Sequence, residues 1–394
     1  MRKGKQLINR VLASFLAAAL VLTGLYVPQM EAEAAEDGLI VHYDFVSQND
    51  QAAQIPDASM HGNIAEIKAV SGSARGKYEI VDANIYGKQV KALDLVGGAD
   101  GAYLTLPAGI LSNCDSVTIS TWVKLTTDSG YQRIWDFGTG QNSYMYLLSD
   151  GGNDGFKGYA SAITTSGWGG ETGVQKGENF AKNRWVLTTV VMDGSTMSLY
   201  ENGELIGTKD TKIKVKDLGN TENNYIAYGQ FGNDPAAGQF AEFKIYNKAL
   251  SAAEIKAMYN VTDDGILSSD VSDLSLGDIS GITENMELPA KGINGSDITW
   301  TSNNEAIAVG DKNEVGNYVA TVKRPAQGTA DAKVELTATL TYNGKSSTKK
   351  FTVNVVAEYT DLQKVYHDLE IVKQRVGNLS TIISKEISLP ADGD

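Results

Sequence analysis

The sequence predicts an all-β protein of two successive sandwiches, and three observations carry that expectation. Apolar and polar residues alternate with a period of two over short stretches. In one, Val117, Ile119, Thr121 and Val123 face away from Thr118, Ser120 and Trp122. Asn-Gly pairs at Asn202-Gly203 and Asn343-Gly344 separate such stretches, where a two-residue hairpin needs positive φ at both turn positions. Patterns at the helical period are scarce. The chain has 394 residues, 42% apolar and 21% charged, an ordinary globular balance for two or three domains.

The first element is a targeting signal over residues 1–34. Arg2, Lys3, Lys5 and Arg10 precede an apolar run at 11–22, and Ala32-Glu33-Ala34 fits small-x-small cleavage. An uncleaved membrane anchor is the alternative reading. Cleavage implies a secreted or cell-surface bacterial protein with no membrane insertion afterwards. The net charge is −14, and the leader's four basic and two acidic residues make the remainder −14 − 2 = −16. Nucleic acid and anionic membrane surfaces both call for a basic footprint, so they are excluded as partners. The single cysteine, Cys114, permits no internal disulfide and reads as a buried small residue.

The first sandwich follows, over residues 35–260. Leu39 to Phe45 opens it. Trp185 to Met192 is a mostly apolar strand ending at the Asp193-Gly194 turn. Met197 to Tyr200 and Leu205-Ile206 flank Asn202-Gly203, and Gly238 to Asn247 closes the set. One helix is expected after Leu250. Ser251 is its N-cap, Glu254 completes a capping box, and Leu250 with Ile255 makes a hydrophobic staple. A polar stretch, Thr262 to Ser269, leads to the second sandwich at 265–358. There Ile298 pairs with Trp300 on one face, as do Val334, Leu336, Ala338 and Leu340, and Phe351 to Val355 follows Asn343-Gly344. About seven short strands in about 95 residues read as an immunoglobulin-like sandwich with Trp300 in its core. Leu288-Pro289-Ala290 recurs as Leu389-Pro390-Ala391, an offset of 389 − 288 = 101 residues. Residues 359–394 therefore read as the start of a second Ig-like repeat, poorly ordered by itself.

These residues carry two resemblances. Ser116 to Lys124, Arg133-Ile134-Trp135-Asp136-Phe137-Gly138, Leu199 to Gly203 and Phe243 to Ser251 resemble the laminin G-like, concanavalin A-type jelly-roll module. The Trp-Asp-Phe-Gly piece followed by Tyr144-Met145-Tyr146-Leu147 is similar to versions found beside bacterial glycoside hydrolases, including arabinofuranosidases. Leu288-Pro289, Ile298 to Asn303 and Phe351 to Val355 resemble the atypical bacterial Ig-like repeat. The jelly-roll resemblance implies a structural calcium ion, with Asp57 and Asn63 from an early turn and Glu242 from the closing strand. An Asx-type turn and a solvated Glu242 are the plainer alternative. Two departures bear on this. Val186-Leu187-Thr188 replaces an expected histidine position, and the closing strand carries Ala241 and Glu242 where two acids are usual.

No catalytic constellation stands out. His42, His61 and His367 lie in unrelated contexts, and Gly167 to Gly173 lacks the Lys-Ser/Thr of a phosphate loop. Concanavalin-type hydrolases place three acids at alternating positions of one strand, and no Glu-x-Asp-x-Glu occurs. A sugar-binding face is expected instead, because sugars stack apolar CH faces on aromatic rings and bond hydroxyls to Asp and Asn. The candidates are Trp168, Tyr144, Tyr146, Trp135, Asp136 and Asn142. Trp168 lies in a Gly-rich loop, and its alternative is loop packing. Tyr144 and Tyr146 share one strand face, either site or sandwich core, while Trp122 and Trp185 read as core. The resulting expectation is a monomeric, noncatalytic carbohydrate-binding front end and Ig-like spacer of a secreted glycoside hydrolase, with a polysaccharide or glycan partner. The alternative is a cell-surface adhesion protein.

Overall fold

The computed structural model describes residues 36–361 except 47–52, 71–76, 128, 153–154 and 233–234, together with 363–365 and 369. The leader and nearly all of the expected second repeat lie outside these residues, as does His367.

The first sandwich packs two eight-stranded sheets face to face. The back sheet runs in the order Glu204–Asp210, Thr196–Glu201, Val186–Asp193, Ser116–Leu125, Gly238–Tyr246, Lys88–Leu95 and Tyr78–Ile85. Leu39–Tyr43 also pairs with the closing strand. The front sheet runs Thr172–Gln175, Ala160–Thr164, Ser143–Leu148, Arg133–Gly140, Asn223–Ile226, Ala102–Leu106, Ala65–Ala69 and Gln54–Ile55. The period-two pattern puts Val117, Ile119, Val123, Val190, Phe240 and Phe243 into the shared core, opposite Trp135, Phe137, Met145 and Leu147. Cys114 is buried there, as expected, and burial pushes its thiol pKa up. The hairpin turns form as read, with φ of 54° and 78° at Asn202-Gly203 and 45° and 79° at Asn343-Gly344.

The expected helix, α1, spans Ala252–Tyr259. Ser251 Oγ accepts from Glu254 N at 3.2 Å, and Glu254 Oε2 accepts from Ser251 N at 2.7 Å. A second helix, α2, spans Asp263–Asp273, where the sequence reading had only a polar connection. Thr262 caps it and two acids favour its first turn, but Ser and Asp obscure its period. Packing decides the conformation, because Leu267, Val271 and Leu274 join the core of the second sandwich.

That sandwich has two three-stranded sheets, Met286–Leu288, Tyr318–Val322 and Ile307–Lys312 over Asp297–Ser302, Ala332–Tyr342 and Lys345–Val355. Trp300 is core, as expected, and its indole donates to Pro289 O at 2.8 Å. Trp122 and Trp185 are buried too, but on the outer face of the back sheet. They pack there with Tyr86, Tyr259 of α1 and Ile266 of α2. Tyr86 joins the two domains by donating to Trp185 O at 2.6 Å and Asn294 Oδ1 at 3.1 Å.

Asp270 on α2 is 1% exposed and accepts four hydrogen bonds, from the N and Nδ2 of Asn294 and the N and Oγ of Ser296. Asp270→Ala strands these donors in a buried site and should cost about 3 kcal/mol. Scanning calorimetry should show the Ig-like transition shifted to lower temperature.

Candidate sugar-binding groove

Side-chain parity on the strand Ser143–Leu148 divides its residues between two environments. Met145 and Leu147 enter the inter-sheet core, while Tyr144, Tyr146 and Leu148 form a separate cluster on the outer face with Ala160 and Ala162. Tyr144 and Tyr146 thus belong to the outer face and not to the sandwich core. Their rings stack with centroids 5.9 Å apart.

The neighbouring strand Arg133–Gly140 carries a bulge between Arg133 and Trp135. In a regular strand, Arg133 and Asp136 would face opposite ways, being an odd number of residues apart. The extra residue sends both Ile134 and Trp135 into the core and puts Arg133 and Asp136 together on the outer face. Trp135, expected as a site residue, is 0% exposed and packs at 5.3 Å from Phe137, so it is a core residue. Asp136 is also fully buried and touches no groove surface. It holds Arg133, whose Nε donates to Oδ2 at 3.3 Å, and accepts from Gln230 N at 3.2 Å. The Arg133 guanidinium in turn lies 3.9 Å from the centre of the Tyr146 ring.

The loop after Ala160–Thr164 completes the arrangement. Gly167 has φ 78°, a conformation open to glycine, and its N–H donates to Asn142 O at 2.9 Å. Thr164 Oγ1 donates to Gly167 O at 2.8 Å. A single 3₁₀ turn, Trp168–Gly170, then leads to Glu171. The Glu171 carboxylate accepts from both outer-face tyrosines, Tyr144 Oη at 2.6 Å and Tyr146 Oη at 2.8 Å. Burial first, then the adjacent carboxylate, pushes the Tyr144 phenol pKa up. Burial does the same for Tyr146 against the opposing charge of Arg133. Both phenols therefore stay protonated and donate. The loop is pinned at both ends, and Trp168 projects from it 68% exposed.

A groove of about 330 Å³ results, with Tyr146 and Arg133 among its lining residues, together with Trp168, Glu171, Phe156 and Phe231. It combines apolar rings with a few fixed polar groups, the composition of a small-ligand site. Asn142 is exposed beside the Gly167 turn and supports the loop through its backbone. Arg133 and Glu171 went unrecognised in the sequence although both lie in motifs singled out there. Phe231 had no local signal, because strand pairing alone brings it to Tyr144, edge to face at 5.6 Å.

The three residues expected for calcium are placed differently. Asp57 closes its own turn, accepting from the backbone N–H groups of His42, Ser59 and Asn63 at 3.0 Å each. Asn63 donates through Nδ2 to Ile40 O at 2.8 Å. Glu242 sits at a bulge of the closing strand, 3.1 Å from His42 Nε2. Burial pushes the Glu242 pKa up, but the His42 hydrogen bond and the charges of His42, Lys88 and Lys244 outweigh it, leaving the carboxyl below its usual value. Among the described residues, no three His, Cys, Asp or Glu side chains are grouped to hold a metal. Calcium takes six to eight oxygens, many of them carbonyls, so Asp57, Asn63 and Glu242 could supply only part of a set. Melting followed by circular dichroism, with added calcium and with EDTA, tests the expected ion: a higher melting temperature with calcium supports it, and an unchanged one removes it.

Asp136 gives the site a pH signature. Burial pushes its pKa up to about 6, against the opposing effects of Arg133 and Gln230. A carboxyl raised from about 3.9 in the unfolded chain contributes stability that is complete below pH ~4 and lost as pH rises through ~6. The stability of the wild type relative to Asp136→Asn should therefore fall between pH ~4 and ~6 and level off above. Urea unfolding of both proteins across that range measures it.

Two family models agree with the architecture. The concanavalin A-like lectin/glucanases superfamily matches residues 97–256, and the atrophied bacterial Ig domain family matches 267–358. An α-L-arabinofuranosidase from Bifidobacterium longum subsp. longum is 24% identical over 442 aligned residues. The match covers 83% of this chain, which spans only 39% of that relative's length. Among solved structures, domain 4 of AbnA, a GH43 extracellular arabinanase from Geobacillus stearothermophilus solved with arabinotriose, is 17% identical with TM-score 0.48. It covers 57% of this chain and 100% of that one. The Ruminococcus gnavus IT-sialidase CBM40, bound to α2,3 sialyllactose, is 15% identical with TM-score 0.34, covering 43% and 96%. Residues 97–256 therefore belong to a laminin G-like jelly-roll domain of the concanavalin A-like lectin/glucanases superfamily, and residues 267–358 are an atrophied bacterial Ig domain.

Proposed function

We propose that the jelly-roll domain is a carbohydrate-binding module and the Ig-like domain its spacer, within a secreted glycoside hydrolase that acts on polysaccharide. The observation that carries this reading is Trp168, 68% exposed over a groove whose floor is already fixed. A single exposed ring is ordinary, but Trp168 borders a groove lined also by Phe156, Phe231 and Tyr146, and a contiguous apolar surface with fixed polar groups marks a ligand site. Covering roughly 100 Å² of the Trp168 ring with a sugar face is worth about 2.5 kcal/mol at about 25 cal/mol/Å². The fixed floor lowers the ordering cost of binding. Similarity to an α-L-arabinofuranosidase supports the link to a hydrolase and makes arabinan the first glycan to try. Holding an enzyme on a polymer raises its local substrate concentration, which gives a noncatalytic module its use.

Affinity electrophoresis through arabinan, xylan and mucin gels tests the reading. Retardation of the wild type in at least one gel is expected. Trp168→Ala should weaken that binding by about tenfold or more while leaving the melting temperature intact. Unretarded migration of the wild type in every gel, with and without calcium, overturns the proposal.

A further inference from the structure

The outer face of the front sheet continues past the groove. Across it, Tyr146 pairs in register with Asp136, Asp136 with Tyr225 and Tyr225 with Thr105, so Tyr225 shares the face of the groove floor. Tyr103 lies two residues from Thr105 on the same side, and Tyr228 follows in the next loop. The three rings form a closed cluster. Tyr103 stacks on Tyr228 at 4.3 Å between centroids, and Tyr225 meets Tyr103 and Tyr228 edge-on at 5.7 and 5.4 Å. From the strand of Tyr146 to that of Tyr103 there are three strand spacings, or about 14 Å. One short loop joins the two regions, because it carries both Tyr228 and the groove residue Phe231.

Two features suit this cluster to a polar, neutral ligand. Several buried tyrosines satisfy their hydroxyls inside the protein. Tyr43 donates to Asn63 O at 2.7 Å, Tyr86 to Trp185 O at 2.6 Å and Tyr159 to Tyr200 O at 3.2 Å. Among the described residues, nothing bonds the hydroxyls of the half-buried Tyr103, Tyr225 and Tyr228. The charges beside the cluster are also matched. Lys68 pairs with Glu66 at 2.5 Å, and Arg133 with Asp136 at 3.3 Å. Such a surface offers rings and free phenol groups without an uncompensated cation for an acidic ligand.

We propose that Tyr103, Tyr225 and Tyr228 form a second sugar subsite, continuous with the Trp168 groove, so that the domain takes an internal stretch of a neutral polysaccharide chain. The proposal rests on the carbohydrate-binding reading and adds the length and charge class of the ligand. Calorimetric titration of the full chain with linear arabinan, arabinotriose and polygalacturonate tests it. Tyr228→Ala should weaken arabinan binding about tenfold and arabinotriose binding by less than about twofold. The double variant Y225F/Y228F keeps the ring packing and removes two hydroxyls, so it should weaken arabinan binding about threefold without loss of fold. Trp168→Ala should lose both ligands, and polygalacturonate should not bind. Arabinan binding without measurable arabinotriose binding, with both tyrosine variants impaired, also supports the subsite. Tyrosine variants that bind arabinan like the wild type, or that lose both ligands equally, overturn the second subsite while leaving the Trp168 groove standing. Polygalacturonate bound as tightly as arabinan overturns the neutral-chain assignment. A wild type that binds neither arabinan nor arabinotriose removes the subsite together with the reading beneath it.

Discussion

Two sheets packed face to face cover one another on one side only, and wherever apolar residues also stand on an outer side they need another cover. Much of this molecule answers that constraint. On the back sheet, Trp122, Trp185 and Leu187 would stand exposed, and α1, α2 and their connection close over them. On the front sheet the cover is partial. The loop carrying Trp168 reaches back over Tyr144 and Tyr146, and Glu171 holds it there through both phenols. Where that cover stops, the groove begins. The site is thus a local exception to the packing problem solved on the opposite face.

The polar groups beneath the groove show how an incomplete cover is kept rigid. A carboxylate on the loop takes two phenol donors, and a guanidinium lies flat on one of those rings. A second, buried carboxylate sets the guanidinium's position from behind. Each contact is modest in water, but inside the sheet face these groups have few other partners. Arg133 and Asp136 meet only because one extra residue in their strand reverses its parity.

Most strands and the turns between them were legible in the sequence, because period-two alternation and Asn-Gly pairs act locally. The capping box located α1 for the same reason. What escaped was non-local. Helix α2 has weak intrinsic preference and is held by Leu267 and Leu274 against a core that forms elsewhere in the chain. Trp135 was misplaced because alternation assumes a regular strand, and the bulge breaks it. Trp168 could be found, since a large ring among glycines is unusual. The pairing of Asn223–Ile226 beside Arg133–Gly140 could not be read from residues some ninety positions apart. Phe231 and the tyrosine cluster follow from that pairing.

The junction at Tyr86 has a geometric consequence. Its hydroxyl ties the jelly-roll backbone to Asn294 of the Ig-like domain, on the outer side of the back sheet. The groove opens on the reverse side of the same sandwich. Among the described residues, the Ig-like domain therefore meets the sandwich from the rear, like a handle behind a plate. Under the proposed carbohydrate-binding reading, a polymer across the front would run clear of that handle in either direction, and the module would take an internal stretch of chain without needing an end.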